Sequence, residues 1–201
     1  MIAWLEGVLR EKEPTRVIVD VRGVGYALHV PLSTFAALPD VGKSVSMHVH
    51  THVRDDALLL YGFATAYELA TFELLLRANR VGPKLAQTIL SGIAPGVLIG
   101  ALRRGEVKVL RGVPGIGPKM AERMAVELRE PAESLVAPEG DGAGTLSPRR
   151  NAPADEALSA LVNLGYPRAQ AERTVEAAVE EAGDEAGIET LIRVALRGLA
   201  S

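Results

Sequence analysis

A twelve-residue pattern that occurs twice, 35 residues apart, constrains the fold of this chain more than any other sequence feature. The first copy, VGPKLAQTILSG, begins at Val81, and the second, IGPKMAERMAVE, begins at Ile116. In each copy a glycine allows a tight turn, a proline suits the first turn of a helix, and a lysine follows. The repeat therefore predicts two helical hairpins of the same design, in which a helix, a tight turn and a second helix follow one another.

The glycine-rich stretch of the second copy, GVPGIGPK at 112–119, is not a nucleotide-binding P-loop. A P-loop requires Gly, four residues, Gly, Lys and then Ser or Thr. Gly112 and Gly117 have the required spacing, but Pro118 stands in the place of the lysine, and no hydroxyl residue follows Lys119. We therefore expect no ATP binding here and no cofactor.

The two turns are instead typical of sites that bind the phosphate backbone of a nucleic acid. Backbone N–H groups at the start of a helix point at an anion, and the helix dipole favours negative charge there. A lysine is unfavourable at that end of a helix, so its presence in both copies favours a bound anion. Phosphate contacts position a nucleic acid without reading its bases. The simpler alternative is two hairpins that only pack on each other.

We predict that the DNA-binding residues come from the two copies and their turns. They are Arg80, Val81, Gly82, Pro83, Lys84, Gly115, Ile116, Gly117, Pro118, Lys119 and Arg123. No set of residues in the chain predicts a catalytic site.

The charge of the chain supports this interpretation through its distribution, although the net charge is only −3. Residues 1–64 contain 6 Lys/Arg and 7 Asp/Glu, residues 65–130 contain 10 and 6, and residues 131–201 contain 6 and 12. The repeat thus lies in a basic segment, which favours binding to nucleic acid, whereas the acidic last third favours a contact with protein.

The pattern of apolar residues changes near residue 64 and divides the chain into domains. Residues 1–63 predict five or so short strands in a small β-barrel, with one helical turn at PLSTFAALP. Residues 64–130 have helical spacing. Residues 131–153 contain four prolines and three glycines and are predicted to be a flexible linker, with a reach of about 25–30 Å. For four of the strands the sequence pattern predicts residue ranges, which are 16–21, 25–30, 44–53 and 57–63.

The last segment, 154–201, predicts a small domain of three short helices. Gly165 and Gly183 are expected to end the first two helices, and Pro167 is expected in the first turn of the second. The core of this domain is predicted to contain Leu158, Leu161, Val162, Val175, Val179, Leu191, Ile192 and Leu196.

Three other features were considered as sites. His48, His50 and His52 alternate and would share one face of a strand, but a polar sheet face explains them without zinc, so we predict no metal site. GVGY at 23–26 lacks the third glycine and the helix of a dinucleotide-binding loop and is interpreted as a turn. The chain has no cysteine, and its start is neither a signal peptide nor a membrane span, so we expect a cytoplasmic protein.

The two copies look like tandem helix-hairpin-helix motifs. Together with GVGY at 23–26, VRDDALLLYGF at 53–63 and ALSALVNLGY at 157–166, they make the chain resemble the RuvA family along nearly its whole length. One position departs from the family pattern, because Arg80 stands where the first hairpin usually has a glycine, as the second has at Gly115. Arg80 could adopt the turn with some strain, or the first hairpin could differ.

The resemblance implies an α+β multidomain protein with an OB-fold β-barrel, a tandem helix-hairpin-helix domain and a small three-helix bundle similar to ubiquitin-associated domains. It implies binding of four-way (Holliday) junction DNA in recombination and repair. The implied assembly is a homotetramer that holds the junction open and flat, two of which can pair as an octamer. The implied partners are the hexameric ATPase RuvB, which pulls the DNA arms, and the junction resolvase RuvC.

The resemblance also implies roles for two further groups of residues. Asp55 and Asp56 would form an acidic pin near the fourfold axis, whereas residue type alone favours an ordinary hairpin turn. Leu164, Gly165 and Tyr166 would belong to the partner-binding loop of the last domain. Two alternatives remain open, a junction nuclease that uses the two aspartates with magnesium and a scaffold that binds any duplex.

Overall fold

The structure is a computed structural model that describes residues 1–135, 152–164, 166–183 and 186–199. The described residues form two compact units, one within residues 1–141 and the other within residues 142–201. The first unit contains a β-barrel followed by helices, and the second contains helices.

The barrel is built from five strands in the first 63 residues and is closed. Its strands pair in the order β1-β2-β3-β5-β4, and β4 pairs with β1 to complete the circle. All pairs are antiparallel except the short parallel pair between β3 and β5. The elements are β1 (Trp4–Glu13), β2 (Arg16–Val21), β3 (Val24–His29), the helix α1 (Leu32–Ala37), β4 (Ser44–Arg54) and β5 (Ala57–Phe63).

The predicted barrel, the four bounded strands and the helical turn are confirmed. Strand β1 is the one whose first and last residues were not predicted from the sequence pattern. Only Leu5 and Leu9 of this strand are buried, and a register shift between Leu9 and Glu11 interrupts the alternation that marks a half-buried strand.

Alternate residues of the strands fill the barrel. In β4, Val45, Met47 and Val49 are buried, and the residues between them face outward. Gly62 of β5 is required by close packing, because a Cβ there would lie 2.8 Å from the Met47 side chain. The alternation predicted from the sequence therefore separates the apolar core from a polar outer face.

Between residues 64 and 135, where the structure describes every residue, six helices follow the barrel and surround one apolar core. That core contains Phe72 and Leu75 near the start of the segment and Met124 and Leu128 near its end. The helices are α2 (Ala66–Leu76), α3 (Pro83–Gly92), α4 (Pro95–Arg104), α5 (Val107–Arg111), α6 (Pro118–Glu127) and α7 (Arg129–Glu133).

Helix α7 runs past residue 130, where the predicted linker was expected to begin. Ala132 is fully buried in the core, and the guanidinium of Arg103 donates hydrogen bonds to the carbonyl oxygens of Ala132, Glu133 and Leu135. The start of the linker, predicted at 131 from its prolines and glycines, is thus corrected, because 131–133 are helical. Buried contacts, which composition does not reveal, continue the helical domain to residue 135.

Buried polar groups join the barrel to the helices. Glu68 of α2 accepts hydrogen bonds from Ser33 Oγ (2.8 Å), Thr34 Oγ1 (2.9 Å) and the backbone N–H of Ala64 (2.9 Å). Gln87 of α3 donates from Nε2 to the Val30 carbonyl oxygen at 2.8 Å. We call these contacts the polar joint. They fix the helical region to the barrel with directional bonds as well as apolar contact.

The described part of the second unit forms three helices, α8 (Ala152–Asn163), α9 (Arg168–Ala182) and α10 (Ile188–Leu199), as the sequence predicted. Gly183 ends α9 with a φ of 85°, a left-handed conformation that suits glycine. Pro167 is the residue that precedes the first turn of α9 rather than a member of it. Gly165 lies outside the described residues.

The core of the second unit agrees with the prediction at most positions. Leu161, Val175 and Leu191 are buried, and alanines that the periodicity did not single out fill the space between them. Val162 is the exception, since 36% of it is exposed. It follows Leu161 directly, and adjacent residues point about 100° apart on a helix, so only one of the two faces the core. Leu158, Val179, Ile192 and Leu196 pack against the core while partly buried.

Candidate nucleic-acid interface

The two predicted hairpins have the same backbone geometry. The helix after each turn begins with a proline, and the glycine before that proline has φ and ψ of −91° and 172° at Gly82 and −80° and 167° at Gly117. Equivalent backbone hydrogen bonds agree in length. They are Ala78 N–Leu75 O and Val113 N–Leu110 O at 3.2 Å, Val81 N–Ala78 O and Ile116 N–Val113 O at 3.1 Å, and Ala86 N–Gly82 O and Ala121 N–Gly117 O at 3.0 Å.

Neither Gly82 nor Gly117 is required by the fold. Both have negative φ, which any residue can adopt, and a Cβ added at either position would meet nothing within 4 Å. Both are exposed, and neither offers a side chain to cap the helix that it precedes. The N–H groups of the first helical turn therefore face open space beside a residue without a side chain, which suits the close approach of an anion.

The two turns lie next to each other. A Cβ on Gly115 in the second turn would be 3.5 Å from Cδ1 of Leu85, which belongs to the helix after the first turn. Neighbouring sites of the same design can hold neighbouring phosphates of one nucleic-acid strand.

Arg80 adopts the turn that a glycine adopts in the second copy. Its φ is 68°, and that of Gly115 is 90°. Of the two possibilities that the sequence left open, Arg80 thus takes the first and adopts the turn. A left-handed conformation is costly for a residue with a Cβ, so something else must stabilise the first turn.

Three predicted cations are exposed beside these helix starts. Lys84, Lys119 and Arg123 are on the surface, and none of their side chains has a hydrogen bond or ion pair within the described ranges. Their charge is thus available to an anion at the turns. Gly82, Gly115, Gly117 and Pro118 are exposed as well.

Other predicted residues hold the turns from inside. Val81 and Ile116 are buried, and their N–H groups donate to Ala78 and Val113. Pro83 is buried too. We therefore expect these residues to shape the turns, whereas the exposed residues contact the ligand.

Two cations near the second turn are not among the residues predicted from the sequence. Lys108 and Arg111 are exposed in α5, the helix that leads into it. The sequence signal that could have identified them is the basic segment VKVLRG at 107–112, which lies outside the repeated pattern.

Asp55 and Asp56 form the two-residue loop between β4 and β5, and both are exposed. The predicted turn is confirmed. Arg54 beside them donates from Nε to Nε2 of His52 at 3.1 Å. Burial, and then the charges of Arg54 and His50, lower the pKa of His52. The exposed charged side chains at this tip are Arg54 and the two aspartates.

The three alternating histidines do share the outer face of β4. The rings of His50 and His52 are stacked with centroids 6.4 Å apart, and His50 Nδ1 lies 3.2 Å from a carboxylate oxygen of Glu73. His48 contacts Trp4 edge to face. Among the described residues, no group of three or more histidine or acidic side chains could hold a metal ion.

In the second unit, the end of α8 presents an apolar surface. Leu164 is 63% exposed, and Val162 is exposed on the same helix end, whereas Tyr166 packs partly against the core. Of the three residues predicted to bind a partner, Leu164 is thus the most accessible of those described.

No helix within the described ranges is long and apolar enough to cross a membrane by itself, and only the pair α3 and α4, bent by 102°, has the length and composition.

Known families match the chain in the order of its domains. The matches are RuvA N terminal domain over residues 1–62, SAM-like helix-hairpin-helix tandem over 72–130 and RuvA C-terminal domain over 152–200. A protein from Solibacter usitatus named Holliday junction branch migration complex subunit RuvA is 49% identical over 179 residues, 89% of either chain.

Two further relatives with this name cover the chain almost completely. The one from Shewanella baltica is 42% identical over 207 residues, which are 99% of this chain and 100% of the relative. The one from Syntrophobacter fumaroxidans is 43% identical over 200 residues and covers 100% of both chains. With its closed barrel and paired hairpins, this chain belongs to the RuvA family.

Proposed function

We propose that this chain binds four-way junction DNA by its phosphate backbone, holds the junction open and planar, and couples it to the RuvB ATPase for branch migration in recombination and repair. The observation that carries the proposal is the pair of uncrowded glycines at the two helix starts. Glycine at 82 and 117 gives the folded chain no steric benefit, but it leaves room for a phosphate against the backbone N–H groups. The relatives' printed name supports junction DNA as the ligand.

The acidic loop between β4 and β5 is proposed to act as a pin at the crossover. In a homotetramer with fourfold symmetry, each subunit would contribute Asp55 and Asp56. Carboxylates gathered at the centre would repel phosphates and keep strands apart there. The polar joint supports this arrangement, because it fixes the barrel that carries the loop to the helices that carry the hairpins.

The second unit is proposed to bind RuvB through the exposed apolar end of α8. Residues 131–201 carry 12 Asp/Glu and 6 Lys/Arg, so this part of the chain repels DNA and is suited to a protein contact. The chain itself is proposed to be non-catalytic, with ATP hydrolysis in the partner. We further propose a cytoplasmic location, pairing of tetramers into an octamer and access of RuvC to the bound junction.

The proposal is tested by replacing each glycine with serine. At either position serine caps the helix and should raise stability by a few tenths of a kcal/mol. In Gly82→Ser and Gly117→Ser the same side chain occupies the space of the phosphate, so junction affinity should fall about tenfold. Ala94→Ser is the matched control, because Ala94 is the N-cap of α4, directly precedes a proline, offers no side-chain cap and lies outside the repeat. Equal affinity in all three variants would refute the glycine argument.

The salt dependence of binding separates phosphate contacts from base contacts. Lys84→Ala or Lys119→Ala should weaken binding to junctions of any sequence and reduce the slope of log K against log salt by about 0.9. An unchanged slope with sequence-dependent loss would indicate base reading instead.

Two measurements on the unmodified protein address the alternatives. Competition between a four-way junction and linear duplex should favour the junction strongly, whereas equal competition would indicate a general duplex scaffold. Incubation of a junction with the protein and magnesium should leave the DNA intact, whereas cleavage would indicate a nuclease that uses Asp55 and Asp56.

A further inference from the structure

The turn of the first hairpin receives a hydrogen bond from the far end of the second hairpin. Oε2 of Glu127, the last residue of α6, accepts from the backbone N–H of Asn79 at 2.9 Å. Asn79 directly precedes Arg80, the residue with a φ of 68°. Helix α6 thus begins at the second phosphate site and ends at the turn of the first.

The repeat shows why only the first turn needs this contact. With the offset of 35 residues, Asn79 corresponds to Pro114 and Arg80 corresponds to Gly115. Pro114 has no N–H to satisfy, and Gly115 adopts its φ of 90° without a Cβ in the way. The position in the first copy that corresponds to Glu127 is Gly92, which has no side chain to offer.

The first turn therefore differs from the second in two ways: it has an N–H group at Asn79 where the second turn has Pro114, and it has a strained residue at Arg80. Among the described residues, Glu127 is the only one whose carboxylate accepts a hydrogen bond from either turn, and it does so at the first. An exposed carboxylate near a phosphate site would oppose binding through its charge, so its benefit must come from the bond that it accepts.

We propose that Glu127 is a positioning residue for DNA binding, which holds the Asn79–Arg80 turn in the conformation that presents Arg80 and the start of α3 to a phosphate. The side chain of Arg80 has no ion pair or hydrogen bond within the described ranges, so it stays available to the ligand. This inference rests on the proposed function for its consequence in binding, whereas the contact itself can be tested without DNA.

The test without DNA is hydrogen exchange of the Asn79 amide in the full-length protein. Glu127→Ala removes the acceptor, so the amide should lose its protection. Glu127→Gln keeps an oxygen acceptor and should keep most of that protection. Protection that is the same in all three proteins would overturn the proposed contact, whatever the protein binds.

The test with DNA uses a four-way junction and the same variants. Glu127→Ala should weaken binding about three- to tenfold, the range for loss of one hydrogen bond, and Glu127→Gln should stay within about twofold of the unmodified protein. Glu122→Ala is the matched control, because it removes an exposed carboxylate of the same helix and should bind as tightly as the unmodified protein or slightly more tightly. Tighter binding by both Glu127 variants would overturn the proposal in favour of simple charge repulsion.

A double-mutant cycle with Arg80→Gly separates positioning from general stability. Glycine adopts the turn without strain, so Glu127→Ala should cost less than about twofold in affinity when Arg80 is already glycine. An equal cost in both backgrounds would overturn the proposal, because Glu127 would then act independently of the turn. If the unmodified protein did not prefer junctions, the proposed function would be wrong. The hydrogen-exchange result would still show whether Glu127 contacts the Asn79 amide.

Discussion

The polar joint predicts a large difference between two substitutions of one residue. Glu68 is 8% exposed and accepts three hydrogen bonds, two from hydroxyl groups of α1 and one from the Ala64 N–H. In Glu68→Ala the Ala64 N–H loses its acceptor, at about 1–3 kcal/mol, and each hydroxyl loses about 0.5–1.5 kcal/mol because it can rotate toward another partner. Together these contributions should lower the free energy of unfolding by about 2–6 kcal/mol.

Glu68→Gln should cost only about 1 kcal/mol, because bonds to a charged acceptor are somewhat stronger than bonds to a neutral one. The amide oxygen can take the place of Oε2 and accept from Ala64 and Thr34, and the amide nitrogen can donate to the Ser33 hydroxyl. Glu73→Ala is the control on the same helix. The side chain of Glu73 is 52% exposed and pairs with His50, so its loss should cost well under 1 kcal/mol.

Urea denaturation of the full-length variants provides the measurement. Fluorescence of Trp4, the chain's one tryptophan, reports on the barrel, and circular dichroism reports on the helices. The Glu68→Ala transition should move to lower urea in both signals. Stability equal to that of Glu73→Ala would refute the joint, and an equal loss in Glu68→Gln would show that charge rather than acceptor geometry is responsible.

Three further predictions concern separate parts of the chain. The double variant Asp55→Asn, Asp56→Asn keeps the turn and should therefore fold. It should bind a four-way junction at least as tightly as the unmodified protein, but its rate of RuvB-driven branch migration should change. Burial, assisted by the charge of Arg16, lowers the pKa of His29, so the folded chain binds fewer protons than the unfolded chain below about pH 6.5. Stability should therefore fall as the pH falls through that range, and His29→Gln should flatten the dependence in pH-resolved denaturation. Leu164→Glu should abolish RuvB binding in a pull-down while the helical content stays unchanged.

The sequence predicted the elements whose signals are local. Gly82 and Pro83, with their copies 35 residues later, mark the turns and the starts of the helices, and the alternation of Val45 and Met47 marks the core face of β4. The alignment of Arg80 with Gly115 identified the position in question but left its conformation open. These features depend on a few adjacent residues, so they can be recognised without knowledge of the fold.

Contacts between residues distant in the sequence could not be predicted in this way. Glu68 has the pattern of an ordinary helix residue, and nothing nearby shows that its carboxylate meets Thr34 from α1. The bond between Glu127 and Asn79 joins residues 48 positions apart. Val162 has the residue type of a core position, and only the orientation of α8 decides that Leu161 is buried instead.

The closure of the barrel affects which contacts neighbouring copies of this chain can make with one another. Every strand in residues 1–63, all of which the structure describes, has a partner on both sides, although β3 and β5 pair only at Leu28–Leu60 and His29–Tyr61. The barrel therefore leaves little open strand edge that could recruit a strand from another molecule. Proteins with exposed edge strands are prone to aggregate at high local concentration, because strands of one molecule add to the sheet of another. Contacts between barrels of neighbouring copies would then be made mainly by side chains, which can change without altering the fold.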